Sequence, residues 1–284
     1  NLYVTGKAID ITTNNLKILN SFKSLALVKI EAGSASTVDG LRLEMEIGDL
    51  ENQLAYLKDN YQTLQVTFNN LLNVDRQREV WLPDTLQTVE PDVAPEAIMD
   101  SITLQNHQLR QLDNMLDAYK AREEVASKAG KPSFSIGIDY MVIGNTDASM
   151  AGNDGGKDAI VFPAVGISIP LYRKKYNAMV QEASLMQQAT ENKKADKVNT
   201  INTIWSRTNR DWQDGKRRVA LYQRQLGYAK KSLSILESAY STDGKNFEEV
   251  LRMERKVLKY ALELEKARAD QNAAVAFINY LTGK

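Results

Sequence analysis

The sequence predicts a mainly α protein of long antiparallel coiled-coil helical hairpins, arranged as a two-copy internal repeat, with one β-hairpin between them. Three observations carry this. All six prolines (Pro83, Pro91, Pro95, Pro132, Pro163, Pro170) lie between 83 and 170, leaving both flanks free of the strongest helix breaker. In those flanks apolar side chains recur at spacings of three and four, the period of helices packed side by side. In the middle, two short segments alternate with the period of strands.

Residues 1–72 form the first helical hairpin. The break Glu31-Ala32-Gly33-Ser34-Ala35-Ser36 reverses the chain, and Ser36 or Thr37 is suited to cap the next helix. That helix carries an unbroken seam of Leu43, Ile47, Leu50, Leu54, Leu57, Tyr61, Leu64, Phe68 and Leu71. Residues 73–95, including Trp81-Leu82-Pro83, make an irregular connection, and 96–133 contain a further helix to about 129.

Residues 134–171 hold the β-hairpin. Phe134, Ile136, Ile138, Tyr140 and Val142 fall on one face of the first strand; Val161, Pro163, Val165, Ile167, Ile169 and Leu171 fall on one face of the second. The opposite faces carry Ser135, Gly137 and Asp139, and Phe162, Ala164, Gly166 and Ser168. Each strand is about the 9–11 residues that cross a bilayer in a barrel. A soluble sheet with one buried face would show the same alternation. The flanking helices weigh against it, because they are too long to fold back over a small sheet.

Residues 172–284 are the second long helical hairpin. From Tyr172 to about Tyr240 nothing stops the helix, which at ~1.5 Å per residue is on the order of 100 Å long. Its seam runs through Val198, Ile201, Trp205, Thr208, Trp212, Gly215, Val219, Tyr222, Leu226, Ala229, Leu233, Leu236 and Tyr240, and slips near Lys193, Lys194 and Lys197. Ser241 to Asn246 form the second reversal. At a constant offset of 210, Leu41-Arg42-Leu43-Glu44 lies on Leu251-Arg252-Met253-Glu254, Leu54 on Leu264, Phe68 on Ile278, Asn69 on Asn279 and Leu71 on Leu281. A match held in register over this distance, each copy following a turn, marks a duplication rather than a solenoid array.

Composition excludes more than it assigns. The chain has 284 residues, 36 Lys+Arg against 36 Asp+Glu, one His and no Cys. Neutral charge argues against nucleic acid and against an anionic membrane surface. Without cysteine there is no thiolate metal site or Cys nucleophile, and one His leaves no His-built metal centre or His-relayed triad. No enzyme activity, cofactor or metal is expected. His107, among Gln105, Asn106 and Gln108, reads as a solvated or interhelical residue within a helix. Asp147, Asp154 and Asp158 match no standard calcium loop, and the loop before Lys157 lacks phosphate-loop spacing. Trp205 and Trp212 read as packing.

The strand ending in Gly166-Ile167-Ser168-Ile169-Pro170-Leu171-Tyr172-Arg173-Lys174, the two helical turns, the close Ile278-Asn279-Tyr280-Leu281-Thr282-Gly283 and the duplication together resemble the outer-membrane efflux protein family, the TolC-like channels. The resemblance covers nearly the whole chain. It implies a homotrimer with a shared twelve-stranded outer-membrane β-barrel and a helical tunnel through the periplasm. It also implies a periplasmic adaptor (membrane fusion) protein and an inner-membrane pump as partners, as in tripartite efflux or type I secretion. In that family a first ascending helix and a first strand hairpin precede the segment that opens here. The chain is therefore expected to be about two-thirds of a protomer, unable to form a conducting trimer alone. The alternative is a soluble helical-hairpin scaffold, which has no use for a lipid-facing stripe.

The resemblance also supplies candidate sites. Acidic residues at the turns, Asp243 first and then Glu248, Glu249, Glu31 and Asp39, are gate or constriction candidates, since an inward acid becomes a ring of three in a trimer. Acids that open a helix are equally favoured by its dipole. Gly33, Ser36, Val38, Leu41, Gly244, Phe247, Val250 and Leu251 resemble adaptor-docking tips, with packing inside the hairpin the stronger expectation for Leu41 and Leu251. Phe134, Ile136, Ile138, Tyr140, Val142, Val165, Ile167, Ile169 and Leu171 are the lipid-facing candidates.

Overall fold

A computed structural model describes residues 1–91, 97–143, 158–243 and 246–283, apart from the side chains of Ile143, Asp158 and Asp243. The elements are α1 (Leu2–Glu31), α2 (Thr37–Leu71), α3 (Ile98–Gln105), α4 (His107–Ala129), β1 (Ser133–Ile143), β2 (Asp158–Ser168), α5 (Arg173–Asp243) and α6 (Phe247–Leu281). Two compact units are formed, Asn1–Ile102 with Asn202–Lys284, and Thr103–Ile201. Among the described residues, no helix is long and apolar enough to cross a membrane.

The first unit packs α1, α2, α6 and the C-terminal part of α5. Within each hairpin the helices are antiparallel. Lys23 of α1 meets Glu44 of α2 at 2.5 Å, and Arg218 of α5 meets Asp270 of α6 at 2.9 Å. Between hairpins, contacts fall close to the internal offset. Arg255 donates to Glu46 across a separation of 209, and Lys29 donates to the Ser241 carbonyl across 212. Corresponding helices of the two copies therefore lie side by side.

The core of this unit gathers Leu16, Leu19, Leu43, Ile47, Leu50, Leu233, Tyr240, Phe247, Val250 and Leu251. Every seam position of α5 is buried or half-buried. The α2 seam is less uniform: Leu43, Ile47 and Leu50 are buried, but Phe68 and Leu71 are exposed. Their counterparts in the second copy, Ile278 and Leu281, are buried. At this end Asn69 is the buried residue. Its amide donates to the carbonyls of Arg76 and Arg78 at 3.1 and 2.8 Å, tying the connection after α2 onto the helix. Farther along the connection, Tyr3 accepts from the Leu86 backbone at 3.1 Å and donates to Glu265 at 2.6 Å. Burial and that carboxylate push the Tyr3 hydroxyl up to about 12.

Between 96 and 129 one expected helix is two. Asn106 adopts extended backbone, and its Oδ1 accepts from the N–H groups of Gln108 and Leu109 at 3.0 and 3.4 Å. An asparagine that satisfies the first amides of a helix starts a new one. His107 is thus the first residue of α4 rather than an interior one. Gln187 of α5 donates to Glu123 of α4 at 2.6 Å, and Lys194 pairs with Asp113, within the stretch where the seam slips.

The strands form an antiparallel ladder from Ser133↔Ser168 to Ile143↔Asp158. The second strand therefore starts and ends earlier than the alternation suggests. Ile169 and Leu171, assigned to the strand from the sequence, lie beyond it. No residue of β1 precedes Ser133 to pair with them, and Pro170 has no N–H to offer a ladder.

Candidate functional site

Two regions concentrate the candidate residues: the helical turns of the first unit and the β-hairpin of the second.

At the first turn α1 ends at Glu31 and Gly33 adopts a positive φ of 69°, a backbone region that a side chain would strain. The Ser34 N–H reaches the Lys29 carbonyl at 2.9 Å. Ser36 caps α2 by accepting from the Val38 N–H at 3.2 Å. The second turn is shorter than expected, because α5 continues to Asp243, so Ser241 and Thr242 are helical. Their hydroxyls donate back to the Ser238 carbonyl at 2.8 and 3.0 Å. Asn246, at φ 65°, turns the chain into α6; asparagine tolerates this region better than most residues. Gly244 lies outside the described residues, as does the Asp243 side chain.

Three of the acidic candidates, Asp39, Glu248 and Glu249, are tied to arginines. Arg42 lies 3.6 Å from Asp39 and 3.2 Å from Glu248, joining the opening turns of α2 and α6. Glu249 pairs with Arg252 one turn on. Glu31 is exposed at the end of α1. In the sequence only its place in the Leu-Arg-Leu-Glu repeat distinguishes Arg42 from the other arginines.

The apolar docking candidates divide sharply. Phe247, Val250 and Leu251 are buried in the core of the unit, so they present no surface to a partner. Phe247 lies against Tyr240, with ring centroids 5.0 Å apart, and Lys29 stands 5.5 Å over the Tyr240 ring. A heptad position at a helix start is drawn inward when the opposing helix offers an aromatic to cover it. Val38 and Leu41 are exposed. Leu41, expected to pack inside its hairpin, does not, whereas its repeat counterpart Leu251 does. Tyr240 is fully buried with no partner for its hydroxyl among the described residues, and burial, with the Asp39 charge nearby, raises it above the ordinary tyrosine range.

In the β-hairpin the register pairs like with like. Phe134 lies opposite Ile167, Ile136 opposite Val165, Ile138 opposite Pro163, Tyr140 opposite Val161, and Val142 opposite Ala159. Directly opposed residues share a face, so both apolar stripes combine into one surface. Phe134, Ile136, Ile138, Tyr140, Val142, Val165 and Ile167 are all exposed, Ile136 by 88%. The other face carries Ser135 opposite Gly166, Gly137 opposite Ala164, Asp139 opposite Phe162 and Met141 opposite Ile160, so it is small or polar at one end and apolar at the other. Among the described residues, no group of three or more His, Cys, Asp or Glu is placed to hold a metal ion.

This arrangement of helical hairpins and a two-stranded insert is the fold shared with solved outer-membrane channels. The chain superposes on the outer-membrane channel OprN with a TM-score of 0.79 at 17% identity, over 99% of this chain and 63% of that one. On the open state of the Neisseria gonorrhoeae MtrE outer membrane channel the TM-score is 0.81 at 15% identity, over 100% and 63%. On the outer membrane protein VceC from Vibrio cholerae it is 0.77 at 12% identity, over 99% and 67%. The chain thus spans about 63% of the length of OprN and of MtrE. No protein-family model matches the sequence, and no curated protein matches it.

Proposed function

We propose that this chain is part of a protomer of an outer-membrane exit duct. Three protomers share one β-barrel, the helices line a periplasmic tunnel, and a periplasmic adaptor and inner-membrane pump supply cargo and energy. The duct itself is passive and performs no bond chemistry. The observation that carries this proposal is the β1–β2 register, which merges two apolar stripes into one exposed surface, while the opposite face is small or polar over 133–139 and 164–168 and carries Phe162, Met141 and Ile160 farther along. That is the pattern of strands with lipid on one side and a lumen on the other. The shared fold with solved outer-membrane channels supports it.

In this scheme the turns of the first unit point to the pump side. Asp243 is the leading gate residue, and Asp39 and Glu248 act through their common partner Arg42. Val38 and Leu41, with Gly33 and Ser36 beside them, form the adaptor surface. Expression in a Gram-negative host, followed by membrane fractionation and planar-bilayer recording of the protein as encoded by its gene, tests the proposal. Trimers in the outer membrane that conduct ions are the expected result. A monomer confined to the soluble fraction would sink it and leave the scaffold alternative.

A further inference from the structure

The neutral charge of the chain averages over a strongly polarised region. Residues 125–138 and 159–181 contain no Asp or Glu, yet they hold Lys128, Lys131, Arg173, Lys174 and Lys175. The ladder brings these two segments together, since Ser133↔Ser168 closes one end of the hairpin. Lys131 stands just before that end, and Arg173, Lys174 and Lys175 follow just after it. Lys128 is engaged by Glu124 at 2.6 Å. Lys131, Arg173, Lys174 and Lys175 are exposed and form no ion pair among the described residues.

Beneath the strands the start of α5 and the end of α4 enclose an open groove of about 800 Å³, with Lys131 and Arg173 at its strand end and Glu123 and Gln188 at the other. Gly130 permits this close approach: a Cβ there would stand 3.2 Å from Tyr176 Cβ. Tyr172 and Leu171 are exposed at the same level, and Lys175 lies 5.8 Å over the Tyr176 ring. Tyrosines with unpaired cations at the foot of an apolar strand surface are the arrangement that meets a bilayer at its headgroups, where basic side chains reach lipid phosphates.

We propose that Lys131, Arg173, Lys174 and Lys175 form a binding site for the phosphate of an anionic phospholipid in the periplasmic leaflet, seated at the strand end of the α4–α5 groove. This rests on the outer-membrane assignment above.

Flotation of the full chain tests it, with phosphatidylcholine vesicles and with the same vesicles doped with phosphatidylglycerol. The expected result is tighter binding to the doped vesicles, weakened by NaCl. Arg173→Gln with Lys174→Gln should weaken that binding by about 25-fold, taking each basic side chain as worth roughly fivefold. Lys230→Gln with Lys231→Gln, an equal charge change elsewhere on α5, should leave it unaltered. Equal binding of the wild type to both vesicles would overturn the headgroup site while leaving the membrane assignment intact. An equal loss in the two double variants would also overturn it, reducing the effect to net charge. Failure to bind either vesicle would overturn both.

Discussion

Asn15 of α1 donates a 2.7 Å hydrogen bond to Oε1 of Glu254 on α6, while Oε2 of the same carboxyl is buried without a partner among the described residues. Glu254 is 2% exposed. Its counterpart in the first copy, Glu44, is exposed and bridges Lys23 at 2.5 Å. The duplicated sequence thus places one acid in solvent and its twin in the core.

Burial, together with the nearby Glu237 charge, pushes the Glu254 carboxyl up to about 7, against the smaller opposing effect of the Asn15 hydrogen bond. A carboxyl raised in the folded state contributes stability that is fully present below its unfolded pKa and is lost as pH rises through the folded value. Thermal stability should therefore fall between about pH 4.5 and 7, by on the order of 3 kcal/mol. Glu254→Gln should flatten that segment of the curve. An unchanged slope in the variant, followed by circular dichroism, would refute the assignment.

Gly215 and Gly227 should respond oppositely to alanine. A Cβ at Gly215 would stand 3.0 Å from Gln271 Cβ and 3.1 Å from its Cα, so relief requires the α6 backbone to move. The overpacking cost of roughly 1–3 kcal/mol outweighs or cancels the helix-propensity gain of about 1 kcal/mol. At Gly227 nothing lies within 4 Å, and Gly227→Ala should stabilise by up to about 1 kcal/mol. Urea denaturation of both variants distinguishes them.

Phe247 and Leu41 should separate stability from docking. Phe247→Ala removes a buried ring packed at a tilt against Tyr240 and should cost about 3–5 kcal/mol. Leu41→Asp changes an exposed side chain and should leave stability within about 0.5 kcal/mol. It should nevertheless weaken adaptor binding in a pull-down with the cognate adaptor; full retention would remove Leu41 from the docking surface.

Ile138→Arg puts a charge on the apolar face of β1. Membrane insertion should become about 2–4 kcal/mol less favourable, seen as loss of protein from the outer-membrane fraction. Asp139→Asn, on the opposite face, should fractionate as the wild type does.

Arg42→Ala frees Asp39 and Glu248 from their shared partner. Arg42 and Glu248 are solvent-accessible and Asp39 only partly so, so the stability loss should be on the order of 1 kcal/mol and shrink at high salt. In the conducting channel the variant should show greater cation preference, because two acids per protomer lose their counter-charge. Asp243→Ala should reduce that preference; unchanged selectivity would exclude Asp243 from the gate.

Elements with a sustained period were legible. The proline-free flanks and the seam from Val198 to Tyr240 indicated α5, and every seam position is buried or half-buried. Features set by one polar side chain were not. Asn106 splits a helix expected to run to about 129, because its cap competes with helix continuation, and Asn69 reverses the burial pattern where α2 meets the following connection. The basic cluster at the foot of the strands was visible only as two acid-free windows, whose proximity the ladder had to supply.

The helix and strand periods, the two reversals and the 210-residue offset are readable in the sequence, because they depend only on spacing along one chain. Tertiary structure alone decided which copy of each repeated residue is buried. Leu41 and Glu44 face solvent, whereas Leu251 and Glu254 lie in the core. The physical reason is that corresponding positions meet different neighbours: Glu44 faces a lysine of its own hairpin, while Glu254 is held against Asn15 of the other. A repeat specifies what a helix offers, and the helix packed against it determines what that offer becomes.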